Sequence, residues 1–139
     1  MIKKIKVFID SNIPMYAAGN KHPNKAPSIK ILGSVSENKI AGVTSTEVMQ
    51  EILYSYSSIG LLEKGLEVFD SFSQIVDDIL PVNFDVISGA RKIIGKDSFK
   101  NISPRDVIHA ATMNYYGINF IATYDKHFNA FKRIKYFIL

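Results

Sequence analysis

The sequence predicts an α/β fold, a three-layer α/β/α sandwich in which helices cover both faces of a mostly parallel sheet. Short apolar runs rich in β-branched and aromatic residues alternate with segments whose apolar residues recur at helical spacing. Right-handed crossovers between parallel strands place helices on both faces of such a sheet. The chain has 139 residues, of which 47% are hydrophobic, enough for one domain with a substantial core. We therefore expect residues 1–139 to form a single domain.

The composition limits the kinds of metal site, cellular location and binding partner that we expect. There is no cysteine, so disulfides and thiolate metal sites are excluded, and a metal would be held by oxygen or imidazole ligands. The basic N-terminus resembles the first region of a signal peptide, but Asp10, Asn12 and Pro14 interrupt the apolar run too early. No apolar stretch reaches the length of a membrane span, so we expect a cytoplasmic protein without a membrane partner. The formal charge of +4 is compatible with nucleic-acid binding but does not require it.

The first half of the chain is predicted to contain two buried strands and four helices. Ser11 and Asn12 are suitable N-cap residues directly after the first strand, so a helix is expected to start at once. After a polar loop, Ile29, Leu32 and Val35 recur at helical spacing on one apolar face. In order, we expect strand Ile5–Ile9, helix Pro14–Ala18, loop Asn20–Pro27, a helix capped by Ser28, strand Ile40–Thr44, a helix after Ser45 and Thr46, and a helix beginning at Gly60.

The second half alternates in the same way, and one of its helices has clear start and stop signals. Ser103 suits the N-cap, Pro104 the first helical position and Gly117 the end of the helix. In order, we expect strand Ile79–Val82, helix Asp85–Ile94, polar loop Lys96–Ile102, helix Pro104–Tyr116, strand Asn119–Ala122, a short turn Phe128–Phe131 and strand Tyr136–Leu139.

Four acidic residues stand where strands end or where helices begin. Asp10 directly follows the first strand, and Asp125 follows the strand that ends at Ala122. Asp106 lies in the first turn of its helix, and Glu51 lies one turn into the helix after the second strand. Ligands of open α/β sheets bind outside the carboxyl ends of the strands, so all four acids can face the same edge.

The chemistry of these four acids points to a metal-assisted phosphodiester hydrolase. Two unit charges about 4 Å apart repel by about 4 kcal/mol at an effective dielectric constant of about 20, and a divalent cation offsets that repulsion. Hard oxygen ligands fit Mg²⁺ or Mn²⁺ best, and such ions activate water and stabilise phosphoryl charge. Each acid also has an ordinary interpretation by itself, as a helix-dipole partner, a turn residue or a solvated helix acid. The functional interpretation rests on the set and its order.

These segments resemble the PIN-domain family, in particular its single-domain VapC-like ribonuclease toxins. The order and approximate spacing of the similar segments extend over nearly the whole chain: Asp10–Asn12, Thr44–Leu53, Ser103–Ala111 and Ile121–Asp125. The resemblance implies an α/β/α sandwich with a parallel sheet, Mg²⁺ or Mn²⁺ in an acidic pocket, and cleavage of single-stranded or structured RNA. It also implies frequent homodimers and, for toxins, inhibition by a small antitoxin protein encoded beside them.

The resemblance also implies roles for individual residues. The catalytic metal pocket would consist of Asp10, Glu51, Asp106 and Asp125. Asn12 and Thr123 would support it through hydrogen bonds to the ligands or to water at the metal. Glu47 is the alternative to Glu51, because it lies one turn earlier on the same helical face. We prefer Glu51, since the family's acid usually precedes apolar residues inside this helix, as in Glu51-Ile52-Leu53.

Basic and aromatic residues near the pocket are candidates for RNA binding. His109 either contacts substrate or shuttles a proton, or it is a partly buried helix residue with a satisfied hydrogen bond. Arg105 either binds a phosphate, pairs with a pocket acid, or is an ordinary surface residue. The rim near Lys126 suits a single strand through phosphate contacts and base stacking, although its phenylalanines are expected in the core. Its members are Lys126, His127, Lys132, Arg133 and Lys135, with Phe128, Phe131 and Tyr136 between them. The helix after Gly60 is apolar enough for the core or for a dimer or antitoxin groove.

Three other classes of protein are compatible with parts of the pattern. A non-catalytic or RNA-processing PIN relative that binds RNA usually lacks a pocket acid, whereas all four are present here. A receiver domain needs an acidic pair after the first strand and a lysine after a late strand, and the acidic pair is missing. A phosphatase of the haloacid dehalogenase type needs a second aspartate two residues after Asp10, where this chain has Asn12.

Overall fold

Five parallel strands form the central sheet of the computed structural model, which describes residues 4–138. The strands are β1 (Lys6–Ile9), β2 (Ala41–Ser45), β3 (Asp78–Leu80), β4 (Phe120–Ala122) and β5 (Lys135–Tyr136). They lie in the order β3-β2-β1-β4-β5, and each neighbouring pair is parallel. The predicted α/β class with a parallel sheet is confirmed, and β1 occupies the centre.

Within residues 4–138, six α-helices flank the sheet. They are α1 (Asn12–Ala17), α2 (Lys25–Ser36), α3 (Thr46–Ser58), α4 (Leu62–Ile75), α5 (Phe84–Ile93) and α6 (Pro104–Tyr116). Helix α1 packs against α2, α3 against α4, and α5 against α6. None of the helices formed by these described residues is both long enough and apolar enough to cross a membrane.

The core explains why β1 is a continuous apolar run. Val7, Phe8 and Ile9 are all fully buried, because helices cover both faces of the central strand. The close approach of α2 to the sheet depends on Gly42 in β2, where an added Cβ would lie 2.6 Å from a methyl group of Val35. The continuous apolar run that predicts β1 as a strand thus also indicates that neither side of β1 faces solvent.

Helix α2 begins four residues earlier than predicted, because Asn24 and not Ser28 takes the N-cap position. The sequence predicts Pro27 in a loop, but it stands in the first turn of α2, where its missing N–H is not needed. Ser28 is therefore a buried helix residue and not the N-cap, and its hydroxyl forms a 2.7 Å hydrogen bond with the Tyr124 hydroxyl. Ile29, predicted on the apolar face, is 51% exposed, since the buried face passes through Ser28 instead.

Helix α4 begins later than predicted and leaves part of its apolar surface uncovered. Gly60 lies in the preceding turn with a φ of +75°, a conformation that favours glycine, and the helix starts at Leu62. Val68 and Phe72 face the core, while Leu62 and Leu66 are about half exposed. The core prediction therefore holds for one face of α4 only.

Helix α1 begins two residues earlier than predicted, at Asn12, and further differences concern short elements of the C-terminal half. Strand β3 is shorter than predicted, and the predicted polar loop contains a 3₁₀ turn, Asp97–Phe99. The turn expected near Phe128 is a 3₁₀ helix, His127–Ala130. Strand β5 is limited to Lys135–Tyr136, because it lies at the sheet edge and pairs only with the short β4. Leu139, the predicted end of the last strand, lies outside the described residues.

Candidate active site

Polar side chains gather where β1 and β4 end. Asp10 directly follows β1, and its backbone N–H donates to the Ala122 carbonyl oxygen at 3.1 Å, so the two strand ends stay paired. Thr123 and Asp125 follow β4. After β1, the chain forms β2 and β3 on one side of this central strand and then β4 and β5 on its other side. This edge is therefore the topological switch point, where ligands of parallel sheets bind.

Two capped helices deliver the other acids to the same edge. The Ser45 hydroxyl accepts a hydrogen bond from Val48 N at 3.2 Å and caps α3, which carries Glu51. The Ser103 hydroxyl accepts from Asp106 N at 3.2 Å and caps α6, as predicted. Local capping sets the position of each acid along its helix, and helix packing turns it toward the sheet edge.

The inner cluster consists of Asp10, Glu51 and His109, all buried. The His109 Nε2–H donates a hydrogen bond to Glu51 Oε1, and Nε2 lies 3.9 Å from Asp10 Oδ1. Asp10 Oδ1 accepts from Ser11 N at 2.8 Å, and Asp10 Oδ2 accepts from Thr123 Oγ1 at 2.7 Å. The Ser11 hydroxyl donates to Glu51 Oε2 at 3.3 Å. Both carboxylates are thus held in fixed orientations.

The outer cluster consists of Asp106, Asp125 and His127, and it is more accessible to solvent. His127 Nδ1 lies 3.4 Å from Asp106 Oδ2 and 3.2 Å from Asp125 Oδ1. The backbone N–H of His127 also donates to Asp125 Oδ1 at 2.8 Å. A tight turn between residues 125 and 127 therefore places the His127 imidazole beside the Asp125 carboxylate.

Thr123 and Asn12 connect the two clusters. While Thr123 donates to Asp10, its Oγ1 accepts from Asn12 Nδ2 at 3.0 Å and from Asp125 N at 3.1 Å. Asn12 Oδ1 accepts from Tyr124 N at 3.4 Å. These contacts fit the supporting role expected for both residues, since they orient Asp10 and the backbone of Asp125.

Burial and neighbouring charges shift the pKa values of Asp10, Asp106 and His109. Burial raises the pKa of Asp10, the opposing effect of His109 is smaller, and the charge of Glu51 raises it further. Burial and the charge of Asp125 likewise raise the pKa of Asp106. For His109, burial favours the neutral ring, but the hydrogen bond to Glu51 and the nearby carboxylates outweigh it, so the pKa is raised. The ionised forms of Asp10 and Asp106 are thus disfavoured in the metal-free site, and a bound cation would favour them.

The raised pKa of His109 predicts that the metal-free protein loses stability above neutral pH. A folded state that binds its proton more tightly than the unfolded state is stabilised fully below the unfolded pKa of about 6.5. That stabilisation disappears as the pH rises through the higher pKa of the folded protein. We expect the midpoint of thermal unfolding in EDTA to fall between about pH 6 and about pH 9, and to fall less in His109→Gln. An equal fall in both proteins, measured by circular dichroism, would contradict this assignment.

The structure separates the two candidate acids of α3. Glu51 lies in the inner cluster and hydrogen-bonds with Ser11 and His109. Glu47 lies one turn away, in a separate surface cleft that it lines with Arg105. The structure thus places Glu51, and not Glu47, against Asp10.

His109 and Arg105 take positions that limit their possible roles. His109 is only 1% exposed, so a direct contact with substrate is inconsistent with its burial. Its Nε2 is satisfied by Glu51, while its Nδ1 has no hydrogen-bond partner among residues 4–138. Arg105 is exposed, with its guanidinium carbon 5.9 Å from the centre of the Tyr54 ring. Within the described part of the chain it forms no ion pair with a pocket acid.

The basic rim is present, but its aromatic residues mostly serve the core. Lys126 is exposed beside Asp125. Phe128 is fully buried, and Phe131 packs against Phe99 with ring centres 5.1 Å apart. The core interpretation of Phe128 is confirmed, and base stacking on this residue is excluded by its burial.

Sequence reasoning misses two contacts at the site. Ser11 is expected to cap α1, yet its hydroxyl bonds Glu51 and makes no capping hydrogen bond. His127 is predicted only on the basic rim, although it contacts both acids of the outer cluster. Its position two residues after Asp125 is a usable signal, because an aspartate side chain often accepts from the backbone N–H two residues on and tightens the turn.

The fold and the site together define an α/β protein with an acidic pocket at the switch point of a parallel sheet. The PIN domain family matches this chain over residues 7–134, and the chain belongs to that family. Ribonuclease VapC13 of Mycobacterium tuberculosis is 33% identical over 129 residues, which cover 93% of this chain and 97% of the relative. The acidic cluster is of the kind typical for PIN domains.

Solved structures support the same fold. The crystal structure of Mycobacterium tuberculosis VapC20, described as a sarcin-ricin loop cleaving toxin, superposes with a TM-score of 0.74 at 17% identity. That match covers 89% of this chain and 93% of VapC20. VapBC2 from Rickettsia felis, bound to a DNA fragment from its promoter, gives a TM-score of 0.73 at 19% identity, covering 95% and 97% of the two chains. At these identities the likeness establishes the fold alone.

Proposed function

We propose that this protein is a metal-dependent endoribonuclease that hydrolyses RNA phosphodiester bonds, and that residues 1–139 act as one PIN-like domain. One observation carries the proposal: Asp10, Glu51, Asp106 and Asp125 converge in two adjacent clusters at the switch point of a PIN-family sheet. Four carboxylates in one pocket repel each other, and a fold tolerates this when a divalent cation neutralises them. The ribonuclease names of the relatives support the same activity.

The donor set fits a hard divalent cation, for which we propose Mg²⁺ or Mn²⁺. All four proposed ligands are carboxylates, and oxygen ligands of this kind suit both ions. Such an ion, when bound, supplies a Lewis acid for the phosphoryl group and a water of lowered pKa. The proposed catalytic and metal-binding residues are therefore Asp10, Glu51, Asp106 and Asp125.

The chain's own residues preorganise the pocket. Asp10 is fixed by Ser11 N and Thr123 Oγ1, so its lone pairs keep one direction. Glu51 is fixed on both oxygens by His109 and Ser11. Such fixed groups stabilise developing charge without reorganising during the reaction. We therefore assign His109 to positioning Glu51.

Phosphate binding is proposed for exposed basic residues beside the outer cluster. Arg105 and Lys126 adjoin Asp106 and Asp125 in the chain, and both are exposed. Cations at the rim attract the RNA backbone without reading its sequence, and this attraction weakens with salt. Selection of the RNA target and of the cleaved bond therefore depends on other parts of the surface.

We further propose that the protein is the toxin of a type II toxin–antitoxin pair and acts in the cytoplasm. VapC20, whose crystal structure is similar to this fold, is described as a toxin. The crystal structure of VapBC2 contains a bound DNA fragment from its promoter. The half-exposed Leu62 and Leu66 of α4 provide apolar surface for an antitoxin or for a second copy in a homodimer. A small open reading frame immediately upstream of the gene would support the first partner.

Cleavage of a mixed panel of labelled RNAs tests the activity. We expect wild-type protein to cut RNA with Mg²⁺ or Mn²⁺ but not with EDTA, and Asp106→Asn to be inactive under all three conditions. The physical reason is the loss of one anionic ligand from the proposed metal site. RNA binding without cleavage by wild type under any condition would favour the alternative, a non-catalytic or RNA-processing PIN protein that binds RNA.

A further inference from the structure

The outer cluster contains an imidazole in addition to its two carboxylates. Its three ligand-type atoms are one oxygen each from Asp106 and Asp125 and Nδ1 of His127, which lies 3.4 Å and 3.2 Å from those oxygens. The backbone N–H of His127 anchors the residue to Asp125 Oδ1 at 2.8 Å. The side chain is 58% exposed, so solvent ions reach it directly.

These separations match those between neighbouring ligands of one metal ion. With bonds of about 2.1 Å and octahedral geometry, adjacent ligand atoms lie about 3 Å apart. The Nδ1 distances of 3.4 Å and 3.2 Å are close to that spacing. The three ligand-type atoms all lie within 4.8 Å of one another, so one ion could bind Nδ1 and both carboxylates together.

The inner histidine does not share this geometry. His109 donates its Nε2–H to Glu51 Oε1, so this nitrogen is occupied by a hydrogen bond within the cluster. Its other nitrogen, Nδ1, is buried away from solvent. The two histidines near the pocket are thus suited to different tasks, one to orient a carboxylate and the other to bind a cation.

We propose that His127 is a ligand of a divalent cation held together with Asp106 and Asp125, and that this mixed position prefers Mn²⁺ to Mg²⁺. The proposal deepens the proposed function, on which it rests, by assigning a nitrogen ligand to the metal site of the nuclease. Mg²⁺ takes oxygen ligands and retains its waters, whereas first-row transition-metal ions accept imidazole. The inner cluster offers carboxylate oxygens only, so the two halves of the pocket differ in metal preference.

Pulsed electron paramagnetic resonance of bound Mn²⁺ tests the proposal on the full chain without RNA. A coordinated imidazole produces ¹⁴N modulation of the Mn²⁺ signal, which carboxylates and water do not. We expect this modulation in wild type, its loss in His127→Ala, and its retention in the matched control His22→Ala. His22 is an exposed loop histidine whose Nδ1 accepts from Asn24 N, and it belongs to neither cluster.

Titration of free Mn²⁺ gives a second measure of the same site. We expect His127→Ala to bind Mn²⁺ about tenfold more weakly, while its affinity for Mg²⁺ changes less than about twofold. Equal losses for both ions would contradict the nitrogen ligand and indicate a general disturbance of the outer cluster.

Other outcomes overturn the proposal in distinct ways. Absence of ¹⁴N modulation in wild type would mean that His127 only pairs with the two carboxylates. Modulation that survives in His127→Ala but disappears in His109→Gln would assign the ligand to the inner cluster. Metal-dependent RNA cleavage by a wild type without modulation would overturn this inference alone, whereas modulation without cleavage of any RNA would retain the metal site and overturn the nuclease.

Discussion

Asp10→Asn is expected to reduce RNA cleavage about a thousandfold or more while leaving the fold intact. Asp10 is buried at the end of the central strand, and both of its oxygens are held in place. The substitution keeps the size of the side chain but removes its charge. Metal ions contribute several kcal/mol to transition-state stabilisation, and about 1.4 kcal/mol corresponds to a tenfold change in rate.

The same substitution should not lower stability by much. Burial and the neighbouring Glu51 disfavour the ionised form of Asp10 and raise its pKa, so a neutral amide relieves an unfavourable charge. Against this, an amide can accept from only one of Ser11 N and Thr123 Oγ1, which costs about 1 kcal/mol for the lost hydrogen bond. We expect the free energy of unfolding of the metal-free protein to change by no more than about this amount, or to rise.

Chemical denaturation and cleavage of labelled RNA, measured side by side, check both parts of the prediction. Asp78→Asn is the matched control, because Asp78 is an exposed aspartate at the start of another strand, outside both clusters. We expect the control to cleave like wild type. Unfolding of Asp10→Asn at ordinary temperature would show a structural role for Asp10, and full activity in this variant would remove it from the catalytic set.

Glu51→Gln and Glu47→Gln are expected to differ by about a thousandfold in cleavage. In Glu51→Gln the new amide oxygen can still accept from His109, and the amide group can still contact Ser11, so the packing of α3 is preserved while the charge is lost. Glu47 lies in a separate surface cleft, and its loss leaves both clusters unchanged. Loss of a charged ligand removes several kcal/mol of stabilisation, whereas loss of a charge outside the pocket does not.

Rates of RNA cleavage with Mg²⁺ or Mn²⁺, together with Mn²⁺ affinity, distinguish the two glutamates. We expect weaker Mn²⁺ binding and loss of cleavage in Glu51→Gln only. A reversed result would mean that α3 shifts along its axis by one helical turn in the active state, which would bring Glu47 into the pocket. Wild-type cleavage rates in both variants would exclude both glutamates of α3 from the metal pocket.

Much of the fold is predictable because its signals are local. The apolar run Val7–Ile9 indicates a buried strand, and its abrupt end at Asp10 marks the sheet edge. Ser103, Pro104 and Gly117 delimit α6 as expected, with Gly117 at a φ of +70°. Capping and helical spacing act over three or four residues, so a single sequence contains them in full.

The four acids of the candidate site are predictable from the sequence, but the contacts around them are not. Asp10, Glu51, Asp106 and Asp125 stand out by their places at strand ends and helix starts, and the structure brings each into a cluster. The sequence leaves open which acid of α3 enters the pocket, because Glu47 and Glu51 share one helical face. The contact that separates them joins α3 to a histidine 58 positions later in the chain.

The sequence by itself determined the order of strands and helices and the acids at their ends, because periodicity, caps and turns are properties of neighbouring residues. Only the tertiary structure decided which polar groups are buried and which partners they meet. Ser28 is buried because the Tyr124 hydroxyl, 96 residues away, satisfies it. His127 joins Asp106 across 21 residues. Such pairings depend on how the helices pack against the sheet, and that packing minimises exposed apolar area over the whole chain.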